Sequence, residues 1–189
     1  VTPPPIPQRL AHRPTVGGLV EPYISMRAGE RVLLGQVKGI KVARCIVEQL
    51  CQICGRPLIP GAPFLFLGTQ HVLDEHFSAE PALHPECAAY SMAACPMING
   101  SMRTYSKHPF ALDGRPCDDP GCDCTGYITH NPESGDKAGQ PAEPWHQIWI
   151  TDYTVGVRKP GPLTADNVTG AVLTGRILKI REILRPGTP

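Results

Sequence analysis

Apolar residues fall into short, separated runs, each of which predicts one element. Ala43, Ile46, Val47 and Leu50 stand at i, i+3, i+4 and i+7, the stripe of an amphipathic helix. Val32-Leu33-Leu34, ended by Gly35, predicts a short strand, and Phe64-Leu65-Phe66-Leu67, ended by Gly68, an apolar one. Val72-Leu73, or the region around Phe77, can supply a returning strand and so close a hairpin. Pro85 suits the first position of a helix that opens at His84, runs through Ala88 and Tyr90, and stops near Cys95 because Pro96 disfavours helix in the residue before it. In residues 145–157, Trp145, Gln147, Trp149, Thr151 and Tyr153 alternate with Ile148 and Ile150, as expected of a strand. The last apolar run is ambiguous. Leu173, Ile177, Ile180 and Leu184 fit a helical stripe, whereas Gly170, Gly175 and Pro186 bound a length suited to a strand, which is the reading adopted. Residues 1–30 hold six prolines and no sustained periodicity, and predict an extended arm that lies on the body or hangs free.

Between these runs lie the residues that carry chemistry. Cys51-Gln-Ile-Cys54-Gly55 is a Cys-x-x-Cys knuckle in which the glycine permits a tight turn with amides aimed at the thiolates. His84 and Cys87 stand three apart at a helix start and can face one metal together. Cys51, Cys54, His84 and Cys87 are therefore the predicted ligands of a structural Zn2+. A knuckle, a hairpin and a second ligand pair at a helix N-terminus resemble a treble-clef zinc finger. Cys45 lies inside the amphipathic helix and is read as a small buried hydrophobe. Cys95, eight residues after Cys87 and so about 12 Å further along a helix axis, is too far away to share that metal.

Cys117, Cys122 and Cys124 form a second cluster in a segment rich in turn formers. Thiolates beside carboxylates favour a soft metal over calcium, so a second zinc loop is predicted, with His108, His130 or Cys95 as fourth ligand; incidental exposed cysteines are the alternative. The fold class that follows is α+β: a small zinc-stabilised domain over residues 31–189 with a treble-clef-like core and C-terminal strands, a cysteine-bearing insertion at 115–140, a connector at 131–144, and the arm at 1–30.

Composition changes this picture in two ways. Glycine (19) and proline (22) are frequent enough in 189 residues to make the chain loop-rich, and a formal net charge of +1 gives no global field toward nucleic acid or anionic membrane. Only the C-terminal part is locally basic, where Arg158, Lys159, Arg176, Lys179, Arg181 and Arg185 outnumber Asp166 and Glu182. The N-terminus shows no secretory signal, and no run reaches the roughly 18 apolar residues of a spanning helix, so a cytoplasmic, reducing setting is expected. Zinc ligation of the paired cysteines fits that setting better than disulfides do.

A wider resemblance rests on Ala11-His-Arg-Pro-Thr-Val-Gly-Gly-Leu-Val20, the knuckle with the Arg56-Pro57-Leu58 that follows, Glu80-Pro-Ala-Leu-His-Pro-Glu-Cys-Ala-Ala-Tyr90, Ala94-Cys-Pro-Met97 and Pro141-Ala-Glu-Pro-Trp145. These segments look like a family of small bacterial and phage-borne proteins of unassigned activity, some labelled as cell-envelope proteins. The expected function is a non-catalytic zinc module that binds another protein. One alternative is a nucleic-acid-binding regulator using the C-terminal bases and a Trp149–Tyr153 stacking platform. The other is a zinc-supported nuclease of the His-Asn-His kind, for which His71, Asp74, Glu75 and His76 lie between the ligand pairs. No membrane partner is expected.

Overall fold

A computed structural model describes residues 3–28, 31–105 and 139–183. These residues form a mixed α/β structure with three short α-helices and several small sheets among them. The central sheet has the order β10-β7-β5, all antiparallel, from β5 (Phe64–Gly68), β7 (His146–Ile150) and β10 (Ile177–Glu182). Its strand periodicity assigns alternate residues to two cores. Leu65 and Leu67 of β5, with Trp149 of β7, face the cluster that holds Cys51, Cys54, Leu83 and Cys87. Phe66, Ile148 and Ile150, all fully buried, face the other way, toward Ile46 of α1 (Gly39–Val47) and toward Ala171 and Leu173.

Ala171 belongs to a second antiparallel sheet of order β6-β9-β8, from β6 (Phe77–Ser78), β8 (Thr154–Val157) and β9 (Val168–Val172). The run expected as one strand over 145–157 is thus two strands in different sheets. At the break, Gly175 donates to the Asp152 carbonyl (2.9 Å), and the chain turns Tyr153 into the Ile148 side of the core. There its hydroxyl donates to the Ile46 carbonyl (2.8 Å), with its ring edge-on to Phe64 and Phe66. Trp149 packs on the opposite core, so these two rings form no stacking platform.

The predicted hairpin between the ligand pairs is replaced by a longer excursion. Val72 and Leu73 lie in α2 (Gln70–Glu75), a helix closed by His76 in the left-handed region, and Phe77 pairs with β9. Two adjacent apolar residues carry no period of their own, so they fit a helix as well as a strand. The strand that completes β5 comes instead from β7, some eighty residues further along. The chain returns to β5 only at a single bridge, where the Leu83 amide donates to the Leu65 carbonyl (2.8 Å).

Residues expected as an extended arm are laid on this body and contribute to it. The short 3-10 turn Gln8–Leu10 buries Leu10 completely. Strands β1 (Thr15–Val16) and β2 (Leu19–Val20) form a two-residue hairpin at Gly17-Gly18, both with positive φ. The Val20 amide donates to the Tyr90 hydroxyl (2.8 Å), which joins the hairpin to α3 (Pro85–Ala94). Next, β3 (Ser25–Ala28) pairs with β4 (Arg31–Val37), the strand expected from Val32-Leu33-Leu34. Buried Glu21 receives both arms of the Arg27 guanidinium, and that contact holds its carboxyl below the ordinary range. The amphipathic helix α1 ends at Val47, with Ala43 and Ile46 buried as predicted. Leu50 lies beyond its end, bridged to Pro57. Among the described residues no helix is long and apolar enough to cross a membrane.

Glu80 offers a pH test of this packing. Burial pushes its carboxyl above the ordinary value of 4.5, opposed by a hydrogen bond from Gln52. Below that value the group is neutral both folded and unfolded. As pH rises, the unfolded chain ionises first and stability falls until the folded group ionises too. Glu80→Gln is therefore expected to match wild type at acid pH and to exceed it near neutrality, as measured by urea denaturation at both.

Candidate metal centre

The knuckle sits at the tip of a small ribbon. The Leu50–Pro57 bridge closes its base, the Leu58 amide donates to the Gln49 carbonyl (2.8 Å), and the Cys51 amide to the Arg56 carbonyl (2.9 Å). Within the turn the Gly55 amide donates to the Cys51 carbonyl (2.8 Å). The Cys54 amide reaches the Cys51 sulfur and the Arg56 amide the Cys54 sulfur, the N–H···S pattern expected of a thiolate knuckle. Gly55 has φ +72°, and a β-carbon there would lie 2.7 Å from the Tyr23 ring. Gly55→Ala thus meets both a strained backbone and a blocked site. It is expected to cost about 1–3 kcal/mol and to accelerate metal release to a chromogenic chelator.

The second ligand pair is delivered by the return to β5. Gln52, buried inside the knuckle, takes the Ala82 carbonyl with its amide (3.2 Å) and the Pro81 carbonyl with its side chain (2.9 Å). Together with the Leu83–Leu65 bond this fixes residues 81–83 between knuckle and sheet. His84 is the N-cap of α3 and Pro85 its first residue, so His84 and Cys87 point from the helix start as expected. The helix ends at Ala94 with Cys95 as its C-cap; Cys95 is half-buried and outside the ligand group.

Sγ of Cys51, Cys54 and Cys87 and a ring nitrogen of His84 all lie within 4.8 Å of one another, and all four residues are buried. Nδ1 of His84 is 3.4 Å from the Cys54 sulfur, while Nε2 is 3.0 Å from the Pro57 carbonyl. A carbonyl only accepts, so Nε2 carries the proton and Nδ1 presents its lone pair to the sulfurs. That tautomer is the one a metal needs, held by a partner behind the ring. Electrostatics point the same way. Hydrogen bonds from Cys51 and Cys87 pull the Cys54 thiol far below its ordinary value, and bonds to Cys51 and Cys54, with burial, push Cys87 far above it. Three sulfurs in one buried pocket cannot all ionise unless a cation compensates them. The donor set therefore fits a metal ion.

Cys45 is fully buried beside Ile24 and Leu50, its thiol pushed up to about 12 chiefly by burial, and it behaves as core. Cys117, Cys122 and Cys124, with His108 and His130, lie outside the described residues. The described chain on either side of them is paired: the Tyr105 amide donates to the Gln140 carbonyl, the Gly139 amide to the Tyr105 carbonyl, and the Ala142 amide to the Arg103 carbonyl. His71, Asp74, Glu75 and His76 are exposed, and the Cys51–Cys54–His84–Cys87 group is the one cluster among the described residues able to hold a metal. The C-terminal bases divide between two sheets: Arg158 and Lys159 follow β8, Arg176, Lys179 and Arg181 lie at or on β10, and Arg185 lies outside the described residues. Sequence reasoning missed Gln52 and the Pro57 carbonyl, which orient the ligands. A glutamine between two cysteines was a signal for the first; a backbone acceptor leaves none. No protein-family model, curated protein or solved structure matches this chain.

Proposed function

We propose that the chain is a zinc-held, non-catalytic module that binds another protein, an adaptor or accessory subunit working in the reducing cytoplasm. One observation carries this reading: three buried thiols and one buried imidazole make four donors, and four donors close the tetrahedron that zinc prefers. Soft sulfur donors favour zinc over magnesium or calcium. A closed site leaves no position for a catalytic water, so the metal's role is to hold the knuckle, β5 and the start of α3 together. That arrangement resembles a treble clef in which the usual hairpin has been drawn out through α2 and β6.

Metal analysis tests the reading. Protein purified without added metal should contain zinc that a thiol reagent releases with loss of fold; a metal-free chain with the same fold would remove it. A nucleic-acid-binding role is the second reading, supported by the exposure of Arg158, Lys159, Arg176, Lys179 and Arg181. A salt titration separates the two, since phosphate contacts by these bases would give DNA or RNA affinity that falls steeply with salt. The nuclease alternative predicts cleavage that depends on His71 and His76; their exposed, unclustered placement favours the non-catalytic reading.

A further inference from the structure

Among the described residues the central sheet is bridged on one side and open on the other. Beyond β5 the chain adds the Leu65–Leu83 bridge, whereas among the described residues no strand pairs with the outer edge of β10. Ile183 donates to the Trp145 carbonyl (2.8 Å), so the alternation of an antiparallel ladder turns the amides of Glu182 and Ile180 outward. A bulge at Leu178 marks where that regular edge begins.

The side chains along this edge are not neutral filler. Register places Ile180 opposite Ile148, which is opposite Phe66, so an apolar row that is fully buried in β5 and β7 ends at Ile180 with 47% exposure. On the other face Lys179 stands opposite Trp149 and Arg181 opposite Gln147, both exposed and without an ion-pair partner among the described residues. Apolar edges invite pairing, and charged side chains on them oppose it unless the incoming strand carries the opposite charge. In an antiparallel copy centred on Ile180, Lys179 faces Arg181 twice; centred on either neighbour, a base faces itself. Like charges directly opposite are unfavourable. A second copy of this chain is therefore disfavoured, and a strand carrying acids is favoured.

We infer that β10 is a docking edge for an extended acidic segment of a partner protein, which adds as a fourth strand with an apolar residue beside Ile180 and carboxylates beside Lys179 and Arg181. This rests on the protein-binding reading above and names its surface. Main-chain bonds at Ile180 and Glu182 supply affinity, and the two bases supply selectivity.

The test uses the zinc-loaded chain and short blocked peptides in which valine alternates with glutamate, or with lysine. Fluorescence anisotropy should show the glutamate peptide binding about tenfold more tightly than the lysine peptide, with amide shifts at Ile180 and Glu182. Lys179→Glu/Arg181→Glu, an exposed double change that leaves the core untouched, should reverse the preference. Ile180→Pro, which removes an outward amide but no bond to β7, should abolish binding. Equal binding of both peptides, no binding, survival of binding in Ile180→Pro, or a dimer that this variant dissolves would overturn the inference. Capture of protein partners by wild type and Ile180→Pro baits separates this from failure of the broader reading. Equal capture removes the β10 edge alone, and no capture by either removes the adaptor role as well.

Discussion

A Cys54→Ser chain is expected to lose one equivalent of zinc and, with it, the cooperative thermal transition of the wild type. Serine is a poor ligand for a soft metal, and Cys54 is the sulfur that both neighbouring thiols and the His84 imidazole approach. Structural zinc contributes on the order of 10 kcal/mol to small domains, comparable to the whole net stability of a typical one. The loss should therefore be qualitative, visible as a broad, non-cooperative melt by circular dichroism. Cys45→Ala is the control: sulfur is likewise removed from a buried position, but the residue packs on Ile24 and Leu50 and lies outside the four-donor group. It should keep its zinc and melt cooperatively. Unchanged melting of Cys54→Ser would sink the structural-zinc reading.

Phe66→Ala should produce a large effect of a different kind. Phe66 is fully buried at the middle of β5, on the face turned from the ligands, opposite Ile148 and edge-on to Tyr153. Truncation there removes contacts to both sheets and leaves a cavity, costing about 3–5 kcal/mol. Zinc content should stay at the wild-type value in the folded protein, because Leu65 and Leu67, not Phe66, line the metal side. Chemical denaturation with parallel metal analysis checks both halves. If Phe66→Ala lost zinc while still folded, the assignment of the two cores to the two faces of the sheet would be wrong.

What could be read from the sequence was what is encoded locally. The knuckle announces itself by two-residue spacing and a glycine, β5 by an apolar run with a glycine stop, and α3 by Pro85 and Pro96 at its ends. Those three signals are enough to bring Cys51, Cys54, His84 and Cys87 forward as one site. The partner of β5 was out of reach for the opposite reason: β7 is distant in sequence, and nothing in Phe64-Leu65-Phe66-Leu67 names it. Residues 145–157 alternate, and the break that makes them two strands is held by Gly175 and Arg176, from a later segment, and by the Asp152 side chain. At the N-terminus, prolines obscured a hairpin whose turn, Gly17-Gly18, is itself a turn signal. The ambiguous end of the chain resolved as a strand, Ile177–Glu182, because its glycine boundaries outweighed a stripe that a bulged edge strand imitates by chance.

The distance between β5 and β7 also sets an order of events. All four ligands lie within residues 51–87, close enough together for the metal to be captured by a growing chain. The strand that pairs with β5 is synthesised only much later, and closing so long a loop is the slow part of assembly. On the zinc reading, metal capture would precede sheet completion, and for that interval the pairing edge of β5 and its Phe66 face would be uncovered. Expression under zinc limitation should accordingly cost yield through aggregation of nascent chains, before any difference in the finished protein is measured.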